Sequence, residues 1–305
     1  MIKDLEKKMS ELGYLIKVIP AEHLEDLKSD IEFSYQGGNI DENLYTWLKD
    51  YYKFECPQST APVESLVIVA SKTPLVKVKF AYKGKEHTFV IPPTYLDFIS
   101  EPEIIKNHLD NITDHKNHFI QANNLPNKLI ANRSGLCLYG RNNLCYIKGL
   151  GSYLLITAFY SDIPVEEDSW GSFKQMEACE NCGLCVLNCP TGALKIDRFA
   201  VRAESCLTYY NEMWGKDQFP EWIPSSAHNA LVGCLRCQTV CPQNRQLLTT
   251  DEKVLSFSEQ EVEDILGSRP LNEVPELYSK LESINMSIHY NYLSRNLQAL
   301  LSKRD

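Results

Sequence analysis

No apolar run in this 305-residue chain is long enough to cross a bilayer. The longest, residues 66–70 and 153–160, stop far short of the roughly 20 residues that a spanning helix needs. Positive charge is not in excess either: 31 Lys and Arg stand against 40 Asp and Glu, a formal net charge of −9. That balance disfavours a broad nucleic-acid-binding surface. Low-complexity tracts are absent. The opening MIKDLEKKMSELGYLIKV alternates charged and apolar residues without a signal-peptide core, so a reducing, cytoplasmic location without membrane attachment is expected. The remaining composition, 44% hydrophobic and 23% charged, is that of an ordinary globular chain with ample core.

What the chain does have is cysteine, 11 in all. Seven of these make two nearly repeated patterns. The first is CENCGLCVLNCP, with Cys179, Cys182, Cys185 and Cys189; the second is CLRCQTVCP, with Cys234, Cys237 and Cys241. Cys206 lies between them. A four-iron cube takes one thiolate per iron, and in two-cluster ferredoxins the fourth Cys of C-x2-C-x2-C-x3-C-P ligates the other cluster. Cys179, Cys182 and Cys185 are therefore expected to hold cluster one, with Cys241 returning from the second pattern to complete it. Cluster two is expected on Cys189, Cys234, Cys237 and one more. The second pattern has Leu231 where its first cysteine would stand, which leaves Cys206 as the replacement. Two 4Fe–4S clusters follow. Zinc also uses C-x2-C knuckles, but it asks only four ligands per site. A disulfide framework fits poorly with an odd cysteine count and no secretory signal. Cys56, Cys137 and Cys145 are read as small buried apolar residues.

Periodicity gives a mixed α and β pattern before residue 170. Helices are expected over 2–12, 21–33 and 101–121, with another starting near Pro126 under an Asn123 or Asn124 cap. Strands are expected over 14–18 and 65–70, and a hairpin over 76–91 turns at Lys83-Gly84-Lys85. A second hairpin-like pair is expected from 144–147 and 152–160. Residues 258–267 and 274–302 read as helical. The domain reading is an α/β part over 1–170, a cluster module over 171–245 and a C-terminal helical segment over 246–305. His115 and His118 are taken as a solvated helix face. Arg133, Arg141 and Lys148 form a small basic cluster near a Gly-rich loop, and Trp214 with Trp222 could shield a cluster from water.

The succession of motifs resembles the epoxyqueuosine reductases. It runs through Ser134-Gly135-Leu136-Cys137-Leu138-Tyr139-Gly140-Arg141-Asn142, then Gly151-Ser152, then Tyr160-Ser161-Asp162-Ile163-Pro164. The two cysteine patterns follow, with Cys206-Leu207-Thr208-Tyr209 between them and Arg295-Asn296 near the end. The resemblance implies an α+β fold: a nitroreductase-like, corrinoid-binding α/β domain against a double-cluster ferredoxin-like module, a plan shared with reductive dehalogenases. It implies a cobalamin cofactor contacted by Gly135, Cys137, Gly140, Arg141 and Asn142, and the same cluster ligands, with Cys206 joining Cys189, Cys234 and Cys237. It also implies an external low-potential electron donor of the ferredoxin or flavodoxin type.

The chain departs from that family at three points. Gln121 stands where the family has its general-acid Asp, and an amide cannot supply that proton. The Lys-rich hairpin replaces a Tyr-x-x-Gly-x-Asp-Tyr-His stretch. Cys137 replaces a glycine. The expected function is thus an iron–sulfur oxidoreductase passing low-potential electrons to a bound cofactor or substrate, other than epoxyqueuosine reduction. The alternative is a non-catalytic electron-transfer protein serving a partner. The sequence names no substrate.

Overall fold

The structure, a computed structural model, describes residues 1–73, 75–96, 98–212, 218–245 and 254–302. In chain order its helices are α1 (Ile2–Glu11), α2 (Leu24–Gln36), α3 (Glu42–Tyr51), α4 (Ser100–Ile112), α5 (Asn127–Arg133), α6 (Leu184–Leu187), α7 (Leu207–Asn211), α8 (Arg236–Thr239), α9 (Glu259–Leu266), α10 (Pro275–Glu282) and α11 (Tyr290–Ser302). Its strands are β1 (Leu15–Pro20), β2 (Ser65–Lys72), β3 (Val76–Tyr82), β4 (Lys85–Ile91), β5 (Phe119–Gln121), β6 (Leu138–Tyr139), β7 (Cys145–Tyr146), β8 (Leu154–Ser161) and β9 (Leu255–Phe257). They form two compact units that interleave along the chain, where the sequence reading drew consecutive segments. Residues 1–72, 99–182 and 197–200 make the first; residues 73–98, 183–196 and 201–305 make the second.

The first unit is built on an antiparallel sheet of order β1-β2-β8-β5. Successive side chains of a strand point to opposite faces, and here each face has its own core. Leu66, Ile68 and Ala70 of β2 join Leu24 and Leu27 of α2 and Ile130 of α5. Val67 and Val69 join Leu5 and Met9 of α1 and Ile105 and Leu109 of α4. Double-sided burial therefore explains the unbroken apolar run of β2, each large aliphatic residue contributing about 1.5–3 kcal/mol.

Three sequence expectations change in this unit. The helix expected over 101–121 ends at Ile112, because Asp114 and His115 take left-handed backbone angles (φ 52° and 55°) that a helix cannot continue through. Phe119–Gln121 instead becomes the edge strand β5, burying Phe119 against the sheet. The strand at 145–146 pairs with β6 rather than with 152–160, which belongs to the main sheet. Neither Asn123 nor Asn124 caps α5; Pro126 stands at its N-cap.

The second unit carries the hairpin. Its turn residues Lys83 and Gly84 both have positive φ (50° and 70°), the requirement of the two-residue turn that matches strand twist. β3 pairs antiparallel with β4 and parallel with β9. Val78, Phe80, Phe89 and Ile91 form one core with Val262 and Ile265 of α9, Leu277 and Leu281 of α10, and Leu293 and Leu297 of α11. The helix expected over 274–302 is broken between α10 and α11 at residues 283–289. A reciprocal Ser258–Glu261 capping box starts α9.

Candidate metal centre

The two cysteine patterns fold as near copies. In the first, Cys185 sits in α6, and the Cys189 N–H closes the turn on Val186 O at 3.2 Å. In the second, Cys237 sits in α8, and the Cys241 N–H closes on Gln238 O at 3.2 Å. Pro190 and Pro242 follow at once and stop either helix from continuing. α6 and α8 pack against each other within the second unit. Leu231, at the place of the missing cysteine, is fully buried in the core of that unit.

All eight candidate ligands are half-buried. Burial pushes the Cys206 thiol up, opposed by donors at Thr208 and Tyr209, and the neighbouring Cys189 raises it further. Burial likewise raises Cys234, opposed by the Asn229 side chain and the Arg236 N–H, with Cys206 and Cys189 adding to the rise. Cys189, Cys206 and Cys234 therefore lie within electrostatic reach of one another, though far apart in sequence. Asn229 Nδ2 lies 3.2 Å from Cys234 Sγ, while its Oδ1 accepts from Leu235 N at 2.8 Å. Donors of this kind toward sulfur tune a cluster, and no spacing in the sequence marked Asn229. Among the described residues, no three His, Cys, Asp or Glu side chains gather around a point as a single ion requires.

Cys179 and Cys182 belong to the first unit, and Cys185 and Cys241 to the second. In the first unit the 135–142 loop is tied to the chain that leads into Cys179. Tyr139 N donates to Lys174 O, and Met176 N donates to Tyr139 O at 2.9 Å. Buried Asn132 accepts from Lys174 N and donates to Lys174 O and Cys137 O. Arg141 Nη2 donates to Cys179 O at 2.9 Å. Further up the same segment, His23 bridges Asp26 and Asp168 at 2.8 Å each and stacks on Trp170. Arg133 lies over Trp170 and holds Asp30 through both carboxylate oxygens at 2.8 and 2.9 Å. Arg133 and Arg141 are thus committed to protein groups, whereas Lys148 is exposed.

The remaining sequence expectations resolve individually. Cys137 and Cys145 are buried and share a hydrogen bond; that contact and burial push Cys137 far up. Asn142 is buried with its Nδ2 on Tyr146 Oη at 2.8 Å. A Cβ at Gly140 would meet the Tyr146 ring at 2.5 Å. Gly135 has φ +77° with open space around its Cα. Cys137 and Asn142 are thus directed into the fold, whereas Leu138 of the same loop is exposed. Gln121 is exposed at the end of β5. Cys56 is exposed, contrary to the buried expectation. Trp222 is 48% exposed, so it gives little shielding; Trp214 lies outside the described residues. His115 lies past the end of α4, and the His118 ring meets Asp162 at 3.0 Å.

Residues 178–244, which contain all eight cysteines, match the 4Fe-4S double cluster binding domain. The epoxyqueuosine reductase of Listeria monocytogenes is 32% identical over 126 residues, 41% of this chain and 31% of that protein. That of Atelocyanobacterium thalassa is 24% identical over 204 residues, 66% of this chain and 65% of that protein. The chain resembles epoxyqueuosine reductases. The structure of epoxyqueuosine reductase from Streptococcus thermophilus superposes with a TM-score of 0.68 at 18% identity, covering all of this chain and 81% of that one. The epoxyqueuosine reductase-like fold is therefore shared along the chain. The match to the Listeria reductase spans less than a third of that protein's length. No helix among the described residues is long and apolar enough to cross a membrane.

Proposed function

We propose that this chain is an iron–sulfur oxidoreductase that relays low-potential electrons one at a time through two 4Fe–4S clusters. Cluster one takes Cys179, Cys182, Cys185 and Cys241; cluster two takes Cys189, Cys206, Cys234 and Cys237. The reading is carried by eight half-buried cysteines inside the matched double-cluster segment. When bound, the clusters supply one-electron storage. The chain's own residues hold the thiolates and aim donors at them from Thr208, Tyr209, Asn229 and Arg236. Electrons enter from an external donor of the ferredoxin or flavodoxin type. Anaerobic reconstitution tests this: about eight irons per chain and two cluster signals on reduction are expected. A chain that retains zinc, or four irons at most, overturns it.

A second reading, an electron carrier without substrate chemistry, is favoured by Gln121, whose amide has no acidic proton to give. Addition of cob(II)alamin to the reconstituted protein separates the readings by electron paramagnetic resonance. An unchanged cobalt spectrum with both clusters intact supports the plain carrier; a stoichiometric base-off signal supports a corrinoid enzyme. Retention of tRNA at moderate salt would add a nucleic-acid substrate.

A further inference from the structure

Cys206 replaces a ligand that the second cysteine pattern lacks, and its loop has no covalent tie near Cys234. A buried network supplies one. α7 begins directly after Cys206 and ends at Asn211. The loop from Leu231 to Gly233 leads into Cys234. Asn296 of α11, 1% exposed, sits between these two pieces. Its Nδ2 donates to Asn211 O at 2.9 Å and to Leu231 O at 3.1 Å. Its Oδ1 accepts from Arg295 Nη2 at 3.1 Å. Arg295 also donates to Tyr210 O at 2.7 Å. Asn211, fully buried, donates from Nδ2 to Gly233 O at 2.5 Å.

Both hydrogens of the Asn296 amide are thus spent on carbonyls from two different ligand-bearing segments, and its oxygen is spent on Arg295. An amide can serve this way; a carboxylate has no donor to give. Tyr95 reinforces the junction from the hairpin side. Its hydroxyl donates to Glu212, at the far end of α7. Its ring fills the space that a Cβ on Gly233 would need, 2.7 Å away, and Gly233 has φ +63°.

We propose that Asn296, with Arg295 and Asn211, is the positioning device that sets Cys206 against the Cys234 loop, so that helix α11 builds the cluster-two site. The inference rests on the ligand sets proposed above. Groups that orient metal ligands commonly change metal affinity 10–100-fold when removed. Network loss should therefore empty cluster two while sparing cluster one.

The test compares the reconstituted full chain with Asn296→Ala and with Leu297→Ala, a neighbouring core change of similar burial. Asn296→Ala should lose about half the iron and one cluster signal, whereas Leu297→Ala should lower the melting temperature and keep its iron. Where Asn296→Ala does not fold, Arg295→Gln replaces it, with the same half-loss expected. Full iron in the network variant overturns the proposal, as does equal loss in Leu297→Ala. A wild-type chain that takes up no clusters would instead sink the functional reading itself, so the two failures are distinguishable.

Discussion

Cys137 and Cys145 lie in the apolar core of the first unit, 3% and 5% exposed, whereas the seven cysteines of the repeated patterns and Cys206 are half-buried. The residue type is the same and its surroundings differ. In the core pair, the hydrogen bond with Cys145 and burial push the Cys137 thiol far up, so it behaves as a small apolar group. At Cys206 and Cys234, N–H and amide donors aimed at sulfur oppose part of the rise that burial causes, which suits a thiolate bound to iron.

The sharpest way to break this comparison is Cys206→Ala. About half of the iron should be lost, with one cluster signal remaining on reduction. Iron that stays near eight atoms per chain would remove Cys206 from the ligand set.

Burial also acts on the His289 ring, which is 8% exposed and shares a hydrogen bond with the Tyr292 hydroxyl. Burial lowers its pKa to about 4. The unfolded chain therefore binds a proton that the folded chain refuses below about pH 6.5. This contribution to stability is intact above that pH and is lost as pH falls through 4, up to roughly 3 kcal/mol. Urea unfolding at pH 7 and pH 4.5 should show the loss, and His289→Gln should show a correspondingly smaller difference between the two.

Cys137→Ala should destabilise the chain by about 1–2 kcal/mol through lost packing, with iron content unchanged. Iron loss in that variant would merge the two cysteine classes. Ser258→Ala provides the baseline far from both. It removes a capping box and should cost about 1 kcal/mol, seen as a lower melting temperature at constant iron.

Much of the second unit's site was legible in the sequence because iron–sulfur ligation is a matter of spacing. C-x2-C-x2-C-x3-C-P wraps a cube locally, and Pro190 and Pro242 mark where each helix must stop. The hairpin at 76–91 was legible for a similar reason: alternation and Lys83-Gly84 are local signals. The edge strand at 119–121 was not. Its three residues continue a helical pattern, and only pairing with β8 and the left-handed turn at Asp114 and His115 make them a strand. Asn229, Asn211 and Asn296 were equally hidden, since a buried amide is recognised only by the carbonyls and sulfur it meets.

The sequence by itself determined that eight cysteines stand in the double-cluster pattern, because residue identity and short spacing are properties of the covalent chain. Only the tertiary structure decided that Cys189, Cys206 and Cys234 share one neighbourhood, that α11 ties the Cys206 and Cys234 segments together, and that Cys137 and Asn142 of the 135–142 loop turn inward. Those outcomes depend on which buried donors find which carbonyls across long separations, and burial makes each unsatisfied partner costly enough to fix the arrangement.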